Sequence, residues 1–378
     1  MNVAILKETL PGENRVAAIP ATVKEMVKSG MKVLVESGAG ENSHISNDEY
    51  KNAGAEIVSD RANLLANTDL ILKVAPAELD EIDMMKDGTV YVSFFQTTIQ
   101  TEHVKKLVNK NISAFSMHLI PRTTLAQSMD ALSSQSNIAG YKAVLLGAAH
   151  LSVYMPLLMT AAGTIPPAKV LILGAGVAGL QAIATAKRLG AQVEAFDVRP
   201  VVKEQVESLG AKFVEVESDE EDGVGEGGYA KETSEDYKQR QQQLIKEHIA
   251  KSDMVITTAL IPGRPAPVLI PDEMVQGMKH GSVIMDLAAE NGGNCELTTP
   301  DEVTISHGVI IDGSLNLPAT MPTHASQLYA KNIITFVKHL CPEGEIKMDL
   351  EDEIISGALF AHRGEITHEP TKEALNKS

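Results

Sequence analysis

Residues 169–199 restrict the fold of this chain more than any other stretch. Val170 to Leu173 is an apolar run too short for a helix, preceded by Pro166 and Pro167, and reads as a buried parallel strand. Gly174, Gly176 and Gly179 follow in GxGxxG spacing. Leu180 to Leu189 reads as an Ala-rich helix closed by Gly190, and a second strand, Gln192 to Phe196, ends in Asp197. Each part has a physical task. Gly174 permits a tight strand-to-helix turn, Gly176 lets the backbone approach a pyrophosphate, and Gly179 lets helix and strand pack closely. The helix N-terminus offers free N–H groups and the positive end of its dipole to phosphate. Asp197, 18 residues beyond Gly179, is placed to accept hydrogen bonds from a ribose diol. Its charge repels a 2′-phosphate, so the stretch predicts NAD over NADP. The competing reading is an ordinary β–α turn with a solvated aspartate. A lone GxGxxG would not decide between them, but here strand, glycines, helix, second strand and acid occur in order. Arg199 is left with three readings: offsetting a 2′-phosphate, lying over the adenosine, or simply exposed.

One such unit does not account for 378 residues, so two domains are expected. A net charge of −17 argues against nucleic acid or an anionic membrane surface as direct partners, though not against docking to a membrane-embedded protein. Cys295 and Cys341 are the only cysteines, which suggests a reducing compartment without a disulfide framework or zinc cluster. The N-terminus begins directly as a strand, so no signal peptide is expected. Ala143 to Gly163 has no formally charged residue and approaches the length of a bilayer span. Gly147, His150, Ser152 and Pro156 within it favour a long buried helix, kinked at Pro156, that joins two domains.

Along residues 1–136, short apolar runs at Val3–Leu6, Lys32–Glu36, Glu56–Val58, Asp69–Val74, Thr89–Phe94 and Ile112–Ser116 alternate with helical segments, which implies a parallel sheet. This half has no GxGxxG, so nothing marks a second dinucleotide site. Residues 137–319 form the second unit, with further strands at Lys212–Val216, Met254–Thr257, Ser282–Asp286 and Val309–Ile311. The loop Thr257-Thr-Ala-Leu, containing Ala259 and Leu260, should border a cofactor at the carboxyl end of the sheet. Residues 217–243 run from an acidic stretch through four glycines to a Gln-rich helix. They read either as a solvated loop or as a flap that closes Tyr229 over a nucleotide. A helix at Ala325–Leu340 is expected to return to the first domain, which then comprises residues 1–136 and 320–378. The fold class is α/β: two Rossmann-like, doubly wound parallel-sheet domains joined by long helices.

The segment Pro121-Arg-Thr-Thr-Leu-Ala-Gln-Ser-Met-Asp-Ala-Leu-Ser-Ser-Gln-Ser-Asn-Ile-Ala-Gly-Tyr closely resembles the NAD(H)-binding component of proton-translocating NAD(P) transhydrogenases. So do Lys203-Glu-Gln-Val-Glu-Ser-Leu-Gly, Gly227-Gly-Tyr-Ala-Lys-Glu and Thr257-Thr-Ala-Leu-Ile-Pro-Gly-Arg-Pro-Ala-Pro-Val-Leu-Ile. The resemblance runs from the N-terminus to about residue 340, and the wider family includes alanine dehydrogenase. It implies that Arg122, Gln127 and Asp130, with Ser133 close by, form the loop beside the nicotinamide, and that Tyr229 belongs to a mobile loop. It also implies NAD(H) contacts at Val177, Asp197, Val198, Arg199, Gly228 and Ala259. The implied reaction passes hydride from NADH to NADP⁺ on a separate NADP(H)-binding component, coupled to proton movement through a membrane-spanning component. The implied state is a homodimer on the cytoplasmic face of a bacterial membrane. Read without the resemblance, Arg122 to Asp130 is a polar loop before a helix capped by Ser133 and Ser134.

What is missing separates the two branches. Oxidising a C–N bond requires a positioned base. Alanine dehydrogenases carry a histidine after a strand of the first domain, where this chain has Gln96, or Phe95 if the match slips by one. Their aspartate before a Gly-Gly pair is matched by Glu290. Arg15 and Lys73 do match substrate-binding positions, and are expected to serve as structural ion pairs. Hydride transfer between two nicotinamides needs only positioning and exclusion of water. Alanine dehydrogenase is thus the first rival reading and a non-catalytic NAD(H)-sensing module the second. His118, His150 and His324 are scattered, and no metal site is expected.

Overall fold

A computed structural model describes residues 1–216, 235–261 and 264–377. The chain divides into two compact units, Met1–Gln135 with Pro318–Ser378, and Ser136–Leu317. In the first unit, β1 (Asn2–Ile5), β2 (Lys32–Glu36), β3 (Glu56–Val58), β4 (Leu70–Leu72), β5 (Val90–Ser93) and β6 (Ser113–Ser116) pair in parallel in the order β3-β2-β1-β4-β5-β6. Apart from the edge strand β3, their centres are buried, as a parallel sheet covered on both faces requires. The helices between them start on local signals. Pro20 opens Pro20–Lys28, Ser46 and Glu49 form a capping box for Asn47–Asn52, and Asp60 caps Arg61–Ala66.

The second unit begins with an antiparallel hairpin, β7 (Leu158–Thr160) and β8 (Gly163–Ile165). Its main sheet contains β9 (Lys169–Leu173), β10 (Gln192–Phe196), β11 (Lys212–Phe213), β12 (Met254–Thr257), β13 (Val283–Asp286), β14 (Val303–Ser306) and β15 (Val309–Asp312). The order is β11-β10-β9-β12-β13-β15-β14, parallel except for the terminal β14–β15 pair. In each unit the winding reverses beside the first strand of the main sheet, between β1 and β4 and between β9 and β12. A doubly wound sheet opens its ligand crevice at the carboxyl ends of those strands.

Two sequence expectations change. Ala143 to Gly163 is not one helix. The helix Ala131–His150 ends at His150, and the hairpin follows. Pro156 sits outside any helix and packs on Gly190, where an added Cβ would lie 2.7 Å from the proline Cβ. Among the described residues no helix is long and apolar enough to cross a membrane. Beyond residue 340, where no strand is expected from the sequence, the chain adds to the first sheet. After the helix Pro322–Leu340, β16 (Leu359–His362) pairs antiparallel with β6, and β17 (Glu365–Ile366) pairs with β16. Leu359, Phe360 and Ala361 are buried, so the tail completes the first sheet.

Candidate functional site

In the second unit the fingerprint forms at the end of β9. Gly174 has φ +101°, a conformation that favours glycine, and a Cβ there would lie 2.5 Å from Thr258 Oγ1. Gly179 sits in the first turn of the helix Val177–Arg188, where a Cβ would lie 1.9 Å from the Gly174 carbonyl oxygen. Protein packing alone demands these two glycines. Gly176 differs. Its φ of −78° is open to any residue, and an added Cβ would meet nothing within 4 Å. Among the described residues the missing side chain answers no packing need, and it fits close approach by a pyrophosphate at the helix N-terminus.

Asp197 follows β10 and is nearly buried. Its Oδ2 accepts from Ala175 N (2.7 Å) and its Oδ1 from Arg199 N (2.8 Å), so the backbone holds the carboxylate at the mouth of the turn. The Arg199 side chain donates to both oxygens, from Nε at 3.0 Å and Nη2 at 3.0 Å. None of the three sequence readings of Arg199 anticipated this ion pair. Although burial opposes it, these hydrogen bonds hold the Asp197 carboxyl below its ordinary range, so it is ionised at neutral pH. Val177, Val198 and Leu260 are exposed apolar side chains of this unit, and Ala259 N is held by Asn294 Oδ1 at 2.9 Å. Gly228 and Tyr229, with residues 217–234 of the proposed flap, lie outside the described residues, and the Gln-rich part is the helix Glu235–Lys251.

In the first unit, Thr124–Met129 forms a 3₁₀ turn that leads into the helix Ala131–His150. Asp130 is the cap. Its Oδ1 accepts from Ser133 N (2.8 Å) and its Oδ2 from Ser133 Oγ (2.5 Å). Ser133 and Ser134 lie inside the helix and are not its caps, because a carboxylate three residues ahead of a free N–H satisfies it better than an in-helix hydroxyl. Ser134 Oγ instead donates to Asn332 Oδ1 (2.8 Å), and Asn332 Nδ2 donates to Ser128 O (2.9 Å), which ties the loop to the helix Pro322–Leu340. Arg122 and Gln127 are exposed on this braced loop.

The residues that matched an amino-acid site are engaged within the chain. Arg15 is a bidentate partner of Glu13 (2.8 and 2.6 Å) and donates to Gln135 (2.9 Å). Lys73, 1% exposed, lies 3.4 Å from Glu8 and 3.2 Å from Glu81. Burial pulls the Lys73 ammonium down, but the two carboxylates outweigh it and the net shift is upward. Glu8 and Lys73 follow β1 and β4, at the crevice of the first sheet. There Glu36, at the end of β2, accepts from Lys7 N (2.8 Å) and binds Arg61, in the same pattern that Asp197 makes with Ala175 and Arg199. The first crevice is thus plugged by its own ion pairs. Phe95 is core, stacked on Phe360 at 4.9 Å. His118 stacks on Phe94, and burial, with Arg15 adding to it, lowers its pKa to about 4. Among the described residues no three His, Cys, Asp or Glu side chains converge as a metal site.

Arg15 and Lys73 form the ion pairs expected of them; the sequence reading missed their partners Glu13, Glu8 and Glu81, and a buried hub at Asp286 and Asn294. Asn294 stands beside the noted Gly-Gly pair, but its burial has no local sequence signal.

Comparison with known proteins agrees with the fold. Residues 4–139 match the alanine dehydrogenase/PNT N-terminal domain and residues 143–369 its C-terminal domain. The chain is 48% identical to the first section of the NAD(P) transhydrogenase alpha subunit of Rhodospirillum rubrum, over 97% of this chain and 98% of that protein. A crystal structure of transhydrogenase from Sinorhizobium meliloti matches with a TM-score of 0.88 at 45% identity, over 97% of this chain and 100% of that one. An L-alanine dehydrogenase structure matches with a TM-score of 0.85 at 25% identity, over 100% and 99%. The chain belongs to the alanine dehydrogenase/PNT family and, within it, to the NAD(P) transhydrogenase alpha subunits.

Proposed function

We propose that this chain is the NAD(H)-binding subunit of a proton-translocating transhydrogenase. In this reading the turn after β9 holds the pyrophosphate, with Gly174, Gly176 and Gly179 shaping it. Asp197 holds the adenosine ribose and disfavours a 2′-phosphate, Val177, Val198, Arg199, Ala259 and Leu260 line the cofactor, and Gly228 and Tyr229 are further contacts. Arg122, Gln127, Asp130 and Ser133 orient the nicotinamide, which supplies the hydride. The protein's task is orientation and exclusion of water, since no acid or base is needed. The observation that carries the reading is Gly176, whose absent side chain serves no packing among the described residues. NADP⁺ sits on a partner component, a membrane-spanning component carries the protons, and this subunit lies at the cytoplasmic face as a homodimer.

The hairpin supplies a surface for the second copy. Residues 151–168 contain no charged side chain in a chain of net charge −17, and Tyr154, Leu157, Met159 and Ile165 are exposed. The amino-acid dehydrogenase alternative is disfavoured, because Arg15 and Lys73 are already neutralised and a histidine with pKa near 4 is a weak base at neutral pH.

The test is a mixing assay that follows reduced nicotinamide. Turnover is expected with NADH, an oxidised NADP analogue and the NADP(H)-binding component, and none with NAD⁺ and L-alanine. Asp197→Ala should weaken NADH binding at least tenfold, by the loss of hydrogen bonds to a charged acceptor. Turnover with alanine alone would reverse the assignment.

A further inference from the structure

We infer that Asn294 is a positioning residue for the dinucleotide, acting through the backbone of Ala259. The inference rests on the proposed NAD(H) site. Asn294 is 0% exposed, and all of its hydrogen-bonding groups are engaged. Its Oδ1 accepts from Ala259 N (2.9 Å), and its Nδ2 donates to Ala259 O (2.9 Å) and Pro267 O (2.8 Å). Its backbone oxygen accepts from Leu269 N (2.8 Å) and Ile270 N (2.9 Å). One side-chain amide thus pairs with both polar groups of a single peptide residue, as a neighbouring strand would, just beyond the end of β12.

That residue borders the fingerprint. Thr258 N donates to Leu173 O (2.9 Å) and Thr258 Oγ1 to Gly174 O (3.0 Å), so residues 258–259 lie against the first glycine of the turn. Asn294 is itself fixed by Asp286, the last residue of β13 and 1% exposed. The Asp286 carboxylate accepts from Asn294 N (2.8 Å), Cys295 N (3.0 Å), Ala288 N (3.0 Å), Thr257 Oγ1 (2.9 Å) and Thr298 Oγ1 (2.7 Å). Gly293, with φ +84°, leaves room for it; a Cβ there would lie 2.8 Å from Oδ2. A buried carboxylate with five donors is a rigid post, and it presents Asn294 to Ala259. Both side chains are shut off from solvent, so their effect on a nucleotide passes through the backbone they hold.

The experiment is NADH titration by fluorescence on the full chain, with thermal melts in parallel, for wild type, Asn294→Ala, Asn294→Asp and Val206→Ala. Val206 lies in the core of the same unit and touches none of this network, so it controls for general destabilisation. Asn294→Ala is expected to raise the NADH Kd about tenfold, while Val206→Ala leaves it within about twofold. Asn294→Asp keeps the shape and the acceptor but loses both donors. Its Kd should be raised at pH 8 and recover toward wild type at pH 6, where burial beside Asp286 favours a protonated acid that donates again. If Asn294→Ala fails to fold, the two-pH comparison of Asn294→Asp decides. Wild-type affinity in the Asn294 variants at both pH values would overturn the inference and leave the nucleotide site standing. A wild-type chain that bound no NADH would overturn both.

Discussion

At the scale of single residues, Glu8 is the group most at odds with its surroundings. Burial pushes its carboxyl up to about 7, with Lys73 offsetting only part of the cost, and its Oε2 has no hydrogen bond. An acid raised in the folded state contributes stability that is full below its unfolded pKa. That stability is lost as pH rises through the folded value. The window here runs from about 4.5 to about 7. Denaturant melts should therefore show stability falling across that interval. Glu8→Gln should flatten the fall and be the more stable form at pH 8, by on the order of 1–3 kcal/mol. Superimposable pH profiles would mean that Glu8 ionises freely in the fold. The same plug explains why the first crevice is closed to a substrate carboxylate: Lys73 and Arg15 meet carboxylates of their own chain.

At the scale of elements, the tail decides how the first sheet ends. β6 would otherwise be an edge strand with an unpaired row of backbone groups. β16 covers it, and Phe360 fills the core between Phe95 and the neighbouring apolar side chains. Deleting residues 353–378 removes both supports, and the loss of Phe360 alone costs about 3–5 kcal/mol. The truncated chain is expected to melt at lower temperature and to aggregate, as read by scanning calorimetry and size exclusion. An unchanged melt would show that the strands are ornamental to the unit. The helix Ala131–His150 shows how a cap sets an element. Asp130, the residue implied beside the nicotinamide, starts the helix with the same carboxylate that orders its loop.

At the scale of the whole molecule, net charge opposes self-association except where a surface carries none. The β7–β8 hairpin is such a surface, with Met159 73% exposed. Leu157→Asp combined with Met159→Asp should convert the proposed homodimer to monomer in sedimentation velocity while each unit keeps its melt. A dimer that survives both charges would place the interface elsewhere. The two sheets share one winding order but differ at the carboxyl ends of their central strands. In the second a fingerprint glycine meets no other group among the described residues, while guanidinium and ammonium groups fill the first.

The sequence alone determined whatever depends on local spacing. It predicted the α/β class, most strands to within a few residues, the strand–glycine–helix turn and the acid after β10, because strand periodicity and glycine geometry act over a few neighbouring residues. The family motifs extended this to the branch, through Pro121 to Tyr141 and Thr257 to Ile270. Contacts between residues far apart in the chain were decided only by the tertiary structure. The helix expected over Ala143 to Gly163 stops at His150, and Pro156, beyond it, packs on Gly190 of the same unit. No strand is legible in the tail because its apolar residues are few and gain their meaning only against β6. Asp286 reads only as the end of a strand and Asn294 as a loop residue, since the five donors converging on Asp286 come from segments up to 29 residues away. Arg15 and Lys73 could be named from sequence, but whether they face a substrate or a carboxylate of their own chain depends on which strand ends the fold brings together.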